Sequence, residues 1–133
     1  MNISLTEIAL AVGMTTNMQA DIDHGELICL AKNVYYEARD QSREGQVAVA
    51  HLTLNRAASP RFPNTVCDVV TEDRGPKPWD CQFSWWCDGK GDIPRDEQAY
   101  QKALLVAIEA MTGKAPNPVP GATHYYAPDV VRR

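Results

Sequence analysis

Glu37 has the side chain and the position expected of a catalytic acid. It lies in the segment 34–39, whose sequence is VYYEAR. Apolar residues recur with helical spacing from Leu27 onward, and at roughly 100° per residue Glu37 falls at the margin of that apolar stripe. A carboxyl group there can be partly desolvated while it faces a cleft, and desolvation raises a carboxyl pKa, as an acid working near neutrality requires. Periodicity alone fits an ordinary surface glutamate equally well.

Helices are the elements that must position Glu37. The apolar periodicity predicts a main body of four helices. Ser42 is the expected N-cap of the second of these, with Glu44 in its first turn, and Gly113 is the expected end of the fourth. The four predicted helices cover residues 25–40, 42–58, 65–72 and 95–111. Residues 1–24 are expected to form a separate N-terminal helix or arm, which begins at a capping box.

An aromatic loop and a small β element complete the predicted fold. The segment 73–94 is rich in Gly and Pro and carries all three tryptophans. Residues 122–127 are β-prone, and with residues 82–86 they predict a small antiparallel pair. Alternation along a strand would place Phe83 and Trp85 opposite Ser84 and Trp86. The fold class expected is mainly α with a small antiparallel β element, α+β.

Length and charge exclude several classes of function. The 133 residues suit one domain with a real core, and we expect a monomer. The net charge of −4, without a basic cluster, argues against a nucleic-acid partner. No stretch approaches the roughly 20 apolar residues that span a bilayer. No positive charge precedes the short apolar run at the N-terminus, so no secretory signal is expected.

The cysteines and histidines do not predict a metal site. Cys29 lies in an apolar stretch and is expected to be a small buried hydrophobe rather than half of a bridge. Cys81 and Cys87 bracket the aromatic loop, where a disulfide and free thiols are both open. No Cys-x2-Cys pair exists, and the histidines share no ligand spacing with the cysteines. We expect no metal and no cofactor, and His51 should be a hydrogen-bonded core residue.

Five ordered blocks of the sequence resemble the cell-wall hydrolase family typified by the catalytic domain of the spore-cortex-lytic enzyme SleB. The resemblance runs from about residue 30 to residue 128 and leaves residues 1–25 outside. The blocks are LAKNVYYEAR at 30–39, EGQVAVA at 44–50 followed by LNR at 54–56, SPRFPNTVC at 59–67, CQFS at 81–84 and ATHYY at 122–126.

The resemblance implies a lysozyme-like domain over residues 25–133 that acts on the glycan strands of peptidoglycan. Members of this family act as lytic transglycosylases that cleave between N-acetylmuramic acid (MurNAc) and N-acetylglucosamine (GlcNAc), and Glu37 matches their catalytic acid. Polar and aromatic residues of the last two blocks offer hydrogen bonds and flat apolar faces for sugar rings. Together with Glu44, the expected substrate-binding residues are Gln82, Phe83, Ser84, Thr123, His124, Tyr125 and Tyr126.

The number of carboxylates decides between two glycan-cleaving chemistries. In a transglycosylase one glutamate serves both steps, whereas hydrolysis of the muramidase type favours a second carboxylate. Glu44, Asp40 and Asp88 are the choices for that role. Glu44 would lie about 10 Å from Glu37 along an unbroken helix, but the intervening turn makes that distance uncertain, and a negative charge at a helix N-terminus is a sufficient structural role.

Two further functions remain open. The aromatic loop and residues 123–126 would also suit a module that binds the wall without cutting it. A cysteine- or zinc-dependent amidase acting on the stem peptide is the third possibility.

Two features depart from the family pattern. Relatives usually continue into a further Trp-containing stretch and a final strand, whereas this sequence ends at Arg133, so the closing β element is in doubt. An enzyme without a signal sequence that acts on the wall in the periplasm would stay in the cytoplasm until phage lysis or arrive with a virion. The expectation is therefore an endolysin of phage or prophage type.

Overall fold

Five helices make up the described fold. The structure is a computed structural model, and it describes residues 22–73, 75–77, 80–88 and 93–124. The helices are α1 (His24–Ala38), α2 (Arg43–Ala58), α3 (Val66–Val70), α4 (Ser84–Cys87) and α5 (Glu97–Thr112). The four predicted helices of the main body are confirmed with small shifts at their ends. The N-terminal helix or arm falls almost wholly outside the described residues.

The helix ends follow from local side-chain chemistry. Ser42 accepts a hydrogen bond from the Gly45 N–H, as a side-chain N-cap does, so the predicted start of α2 is confirmed. Asp96 caps α5 in the same way, through the N–H of Ala99. Gly113 ends α5 with a φ of 81°, in the left-handed region that glycine adopts without steric cost.

Helix α1 lies at the centre of the packing and contacts α2, α3 and α5. Its buried face includes Leu27, Leu30 and Val34. Each such side chain contributes roughly 1.5–3 kcal/mol when it is removed fully from water. The predicted apolar face of α5 is confirmed, since all of its members are buried: Tyr100, Ala103, Leu104, Ala107 and Ile108.

The short helix α3 is tied to the start of α1 in two ways. The Glu26 carboxylate accepts hydrogen bonds from the N–H groups of Val66 and Cys67, which would otherwise be unpaired at the start of α3. A disulfide joins Cys29 to Cys67, with their Cα atoms 5.2 Å apart. The expectation that Cys29 is a simple buried hydrophobe was therefore wrong. Its side chain lies at the α1–α3 contact, where the partner cysteine comes within bonding reach.

The predicted antiparallel β element is not seen in the described part of the chain. β pairing there is limited to an isolated antiparallel bridge between Asp73 and Cys81. Residues 84–87, expected in a strand, form the short helix α4. Residues 122–124 are held by side chains of α2 instead of a partner strand, because Asn55 donates to the Ala122 carbonyl and Arg56 to the Thr123 carbonyl. Tertiary contacts thus override the β propensity of both segments.

Two further findings concern the histidine of α2 and the question of a membrane-spanning helix. His51 is buried, and its Nε2 lies 2.7 Å from the carbonyl oxygen of Ala115, so the prediction of a hydrogen-bonded core histidine is confirmed. Among the residues that the structure describes, no helix combines the length and the apolar character needed to cross a bilayer.

Candidate active site

Glu37 opens onto a cavity of about 510 Å³ at the end of α1. It occupies the last turn of that helix and is half-buried, as its place at the margin of the apolar stripe predicts. Three segments line the cavity: the end of α1, helix α4 with the residue that follows it, and the approach to α5. The lining residues are Tyr35, Tyr36, Glu37, Arg39, Ser84, Trp85, Asp88, Ile93 and Arg95.

Stacked aromatic rings form one wall of this cavity. The rings of Tyr36 and Trp85 lie 4.7 Å apart and are inclined by 19°. Trp86 meets Trp85 edge-on at 6.0 Å, and 42% of its surface is exposed. Flat apolar faces with polar edges are the surfaces on which sugar rings pack. The wall therefore begins one residue before Glu37 and continues into α4.

A buried polar network holds Trp85 in place. The Asn33 side chain is fully buried; its oxygen accepts from the Trp85 indole N–H at 2.9 Å, and its amide nitrogen donates to the Thr53 hydroxyl at 3.0 Å. The Thr53 hydroxyl in turn donates to the Val49 carbonyl at 2.8 Å. Such a connected network favours one arrangement of its members, because any group left unpaired would be costly. It fixes the aromatic wall relative to α1 and α2.

Tyr35 links the cavity to the start of α5. Its hydroxyl accepts from Arg39 at 2.6 Å and from the Asp96 backbone N–H at 3.1 Å. The Arg39 guanidinium also lies 4.9 Å from the centre of the Tyr35 ring. The ring meets Tyr100 edge-on at 6.1 Å.

The hydroxyl of Tyr100 is shifted in its titration. Burial, with a smaller contribution from Tyr36, raises the pKa of the Tyr100 hydroxyl above its ordinary value of 10.0. Tyr100 therefore stays neutral under ordinary conditions.

The cavity brings together two carboxyl groups and two guanidinium groups. Asp88 lines it with Glu37, and Arg39 and Arg95 lie among the same residues. Glu44 and Asp40, the other carboxylates considered from the sequence, are exposed and do not line it. Asp88 is therefore the residue that could act as a second carboxylate beside Glu37.

The expected binding residues of the aromatic loop separate in space. Ser84 is exposed and lines the cavity, whereas Phe83 is 1% exposed and belongs to the core. The Arg56 guanidinium lies 5.1 Å from the Phe83 ring centre and 5.2 Å from that of Phe62. Gln82 is half-buried, and its backbone N–H donates to the Glu72 carbonyl. In this arrangement the Phe83 face packs on Arg56 instead of opening toward Glu37.

The remaining expected binding residues lie elsewhere. Thr123 and His124 do not line the cavity; the Thr123 hydroxyl is 3.0 Å from His124 Nδ1, and the exposed His124 ring lies 6.0 Å from Phe62. Glu44 is exposed in the first turn of α2. Tyr125 and Tyr126 fall outside the described residues. Arg56 joins the two groups of residues, because its Nε donates to the Thr123 carbonyl at 2.6 Å.

Sequence reasoning missed four residues of this site. Asn33, Arg39 and Arg95 were not selected, nor was Tyr36 as part of the aromatic wall. An asparagine on the buried side of a predicted helix is a usable signal, because a buried amide needs partners. The sequence has no local signal that Arg95 would reach the same cavity as Glu37.

One group of potential metal ligands in the described part of the chain lies at the ends of the aromatic loop. Ligand atoms of Asp73, Cys81 and Cys87 lie within 4.8 Å of one another. The two cysteines are joined as a disulfide, with Cα atoms 6.0 Å apart. A disulfide has no thiolate to offer a metal, so these residues hold the loop covalently in this structure.

Comparison with known proteins identifies the class to which this fold and cleft belong. A family model described as cell wall hydrolase matches residues 40–133, more than half of the chain. The chain therefore belongs to the cell wall hydrolase family, and the resemblance predicted from its sequence blocks is confirmed.

Among curated proteins, the chain is similar to spore cortex-lytic enzymes. It is 36% identical over 114 residues to that of Halalkalibacterium halodurans, 34% over 116 residues to that of Bacillus subtilis and 35% over 114 residues to that of Bacillus cereus. These alignments cover 86%, 87% and 86% of this chain but 31%, 34% and 39% of the relatives. The chain thus spans about a third of their length. No solved structure matches it.

The two kinds of match differ in whether they include Glu37. The family model begins at residue 40, just beyond it. An alignment over 114 of the 133 residues must include Glu37, wherever the alignment starts. The likeness to the spore cortex-lytic enzymes therefore extends over the proposed acid.

Proposed function

We propose that this domain cleaves the glycan strands of peptidoglycan between MurNAc and GlcNAc, with Glu37 as the catalytic acid. The observation that supports this most is the place of Glu37, which opens onto a cavity beside the stacked rings of Tyr36 and Trp85. Membership of the cell wall hydrolase family supports the substrate class. Family likeness alone would not select the residue, and the geometry alone would not select the polymer.

The reaction we propose is that of a lytic transglycosylase. The protonated Glu37 gives its proton to the glycosidic oxygen, and the bond from that oxygen to the MurNAc anomeric carbon breaks as the sugar gains oxocarbenium character. The C6 hydroxyl of the same MurNAc then attacks the anomeric carbon. The ionised Glu37 takes up the hydroxyl proton, which closes a 1,6-anhydro ring and restores the acid. No water is consumed, and one carboxyl group serves both steps.

The rest of the cavity would hold the sugars for this step. The half-buried Tyr36 ring, backed by the buried Trp85 ring, would offer an apolar face to a pyranose ring, and the exposed Ser84 hydroxyl offers a hydrogen bond near it. Holding the sugar against a rigid wall lowers the entropic cost of aligning the glycosidic oxygen with Glu37. The Asn33 bond to Trp85 supplies that rigidity. Residues farther from the cavity, including Gln82, Thr123, His124 and Glu44, would serve more distant sugars of the strand.

Asp88 favours a second candidate function, hydrolysis of the same bond. Because it lines the cavity with Glu37, its carboxylate could activate a water molecule or attack the anomeric carbon itself. Either route ends with a reducing MurNAc that has gained one water. The two functions share the acid and the substrate and differ in the product.

The test is a digest of purified cell walls followed by mass analysis of the released fragments. Anhydro-MurNAc ends, lighter by one water than reducing ends, are the expected product. Reducing MurNAc ends would reject the transglycosylase reaction in favour of hydrolysis with Asp88. Walls that bind the protein but release no fragments would reject catalysis in favour of a wall-binding module. Release of peptides with uncut glycan would indicate an amidase.

A further inference from the structure

A second cavity adjoins the first one. It has a volume of about 320 Å³ and shares Arg39 with the cavity that holds Glu37. Residues from the end of α1 and the start of α2 form one side, and α5 forms the other. The lining residues are Arg39, Gln41, Arg43, Gln46, Lys102, Leu105 and Val106. We call this cavity the basic pocket.

The basic pocket concentrates positive charge in a chain whose net charge is −4. Three cationic side chains line it, and no carboxylate is among its lining residues. Arg43 forms an ion pair with Glu109, which offsets part of its charge. The Lys102 side chain is exposed and has no hydrogen bond or ion pair to any residue in the described ranges. Arg39 donates a hydrogen bond to the neutral Tyr35 hydroxyl, and it faces Glu37 and Asp88 only in the neighbouring cavity.

The other lining groups would suit a short peptide. Gln41 and Gln46 carry amide groups, which can pair with backbone N–H and C=O groups. Leu105 and Val106 offer apolar surface of the kind that covers a small side chain. The volume is at the lower end of the range found for ligand sites, roughly 300–1,000 Å³. A site of this composition fits a small, carboxylate-bearing peptide better than another neutral sugar.

We propose that the basic pocket binds carboxylate groups of the stem peptide while the neighbouring cavity holds the sugar that carries it. The proposal rests on the proposed function, because only then is the ligand a peptidoglycan strand. In that polymer each peptide is attached to MurNAc, the sugar whose bond to GlcNAc is cut. A MurNAc beside Glu37 therefore brings its peptide to within reach of Arg39, and Arg39 is where the two cavities meet. Arginine pairs well with carboxylates because its planar guanidinium donates two parallel hydrogen bonds.

Wall phosphates share this anionic chemistry and are the competing ligand. Phosphodiester-linked wall polymers are attached through the C6 hydroxyl of MurNAc. Transglycosylation consumes that hydroxyl, so a sugar carrying such a polymer cannot undergo the proposed reaction. The reaction therefore favours the peptide carboxylates as the ligand.

The experiment compares three preparations of soluble, un-cross-linked glycan strands. The first is untreated, the second has been extracted with hydrofluoric acid to remove phosphate polymers, and the third has also had its carboxylates converted to methylamides. The third keeps nearly the size of the peptide and loses its negative charges. Lys102→Glu is the test variant, and Lys114→Glu, an exposed position outside both cavities, is the control with the same change in charge.

The proposal predicts a change in KM with kcat kept. On extracted strands, KM should rise about tenfold for Lys102→Glu and stay within about twofold of wild type for Lys114→Glu. The reason is that Lys102 lines the basic pocket and Lys114 does not. On methylamide strands, wild type and Lys102→Glu should have the same, raised KM. Equal wild-type KM on extracted and methylamide strands would overturn the proposal. So would a rise in KM that appears already on phosphate removal, which would assign the pocket to phosphate.

A binding measurement separates this proposal from the proposed function. Fluorescently labelled strands are titrated against Glu37→Gln, with and without Lys102→Glu. If Lys102→Glu weakens the binding of extracted strands but not of methylamide strands, the result supports the basic pocket even if wild type cleaves nothing. Unchanged binding overturns it even if wild type cleaves every preparation.

Discussion

The indole N–H of Trp85 donates a hydrogen bond to the side-chain oxygen of Asn33, which lies 52 residues earlier in the chain, at a distance of 2.9 Å. Asn33 lies on the buried side of α1, one turn before Glu37, and Trp85 lies in α4. The bond therefore joins the helix that carries the proposed acid to the short helix α4, which contributes the other ring of the aromatic wall. Because both partners are buried, its loss would leave polar groups without water to replace it.

Replacing Asn33 should destabilise the domain more than its size suggests. Asn33→Ala leaves the buried Trp85 N–H without its partner, whereas the Thr53 hydroxyl keeps its bond to the Val49 carbonyl. One unsatisfied buried group costs about 1–3 kcal/mol, so we expect the free energy of unfolding, measured by urea denaturation, to fall by about that amount. Asn64→Ala, at an exposed site, is the matched control and should change it by less than about 0.5 kcal/mol. A loss no larger than that of the control would show that the network contributes little.

Glu37→Gln should remove activity without removing the fold. The amide keeps the shape of the side chain but cannot deliver a proton, so we expect the rate of strand cleavage to fall by about 10²- to 10⁴-fold. Urea denaturation should give an unfolding free energy within about 0.5 kcal/mol of wild type, because Glu37 is half-buried at a cavity. Glu97→Gln, exposed at the start of α5 and outside both cavities, is the control for loss of one carboxylate. Full activity in Glu37→Gln would contradict the assignment of the acid.

Asp88→Asn distinguishes the two candidate functions. If Glu37 serves both steps, the variant should still release anhydro-MurNAc ends, and its rate should fall by less than about tenfold. If Asp88 is the base or nucleophile of a hydrolase, the rate of forming reducing ends should fall by about 10²-fold or more. Mass analysis of the fragments measures both. Asp40→Asn, outside the cavity, is the matched control.

The Cys29–Cys67 bridge should contribute strongly to stability. It closes a long loop, with 38 residues of sequence separation, and restriction of the unfolded chain by a loop of that length is worth about 4 kcal/mol. The double variant Cys29→Ser with Cys67→Ser should lose up to about that amount in urea denaturation. The corresponding Cys81→Ser with Cys87→Ser variant, whose sequence separation is 6, should lose about 2 kcal/mol. The reverse order of losses would contradict this account.

Stability at high pH should depend on Tyr100. Its pKa is raised in the folded state, so the unfolded chain releases the hydroxyl proton first as pH rises. The stability this group contributes is complete below about pH 10 and is lost as pH rises through the folded pKa. Tyr100→Phe should therefore show a shallower fall in unfolding free energy as pH rises above the ordinary tyrosine pKa of 10.0, measured by urea denaturation. Identical pH profiles for variant and wild type would show that burial does not affect this group.

The predictable parts of the fold are those encoded by local pattern. The face of α5 that includes Tyr100 follows from helical spacing, and the ends at Ser42 and Gly113 follow from capping chemistry. Helix position alone left Glu37 open as a surface residue, and the family resemblance selected it; it lines a cavity, and its role as the acid stays a prediction. These features depend on neighbours within a few residues, which a sequence displays directly.

The features that were missed or wrong depend on contacts between distant residues. Phe83 and Trp85 were expected to face away from Ser84 and Trp86 along a strand, with neither pair chosen as the buried one. The structure buries Phe83 and Trp85, but Trp85 lies in a helical turn, where it bonds to Asn33. The bridge from Cys29 depends on the position of α3, 38 residues on. No local pattern reports such a distance.

The disulfide between Cys81 and Cys87 turns the segment it encloses into a closed ring seated on the domain by its buried members, Phe83 and Trp85. Its exposed members, Ser84 and Trp86, contribute little to the packing of the ring on the domain, so they can be substituted. A library confined to these two positions should shift sugar preference without loss of folding. Changes at these two positions can thus alter the surface beside the cavity while the fold is kept.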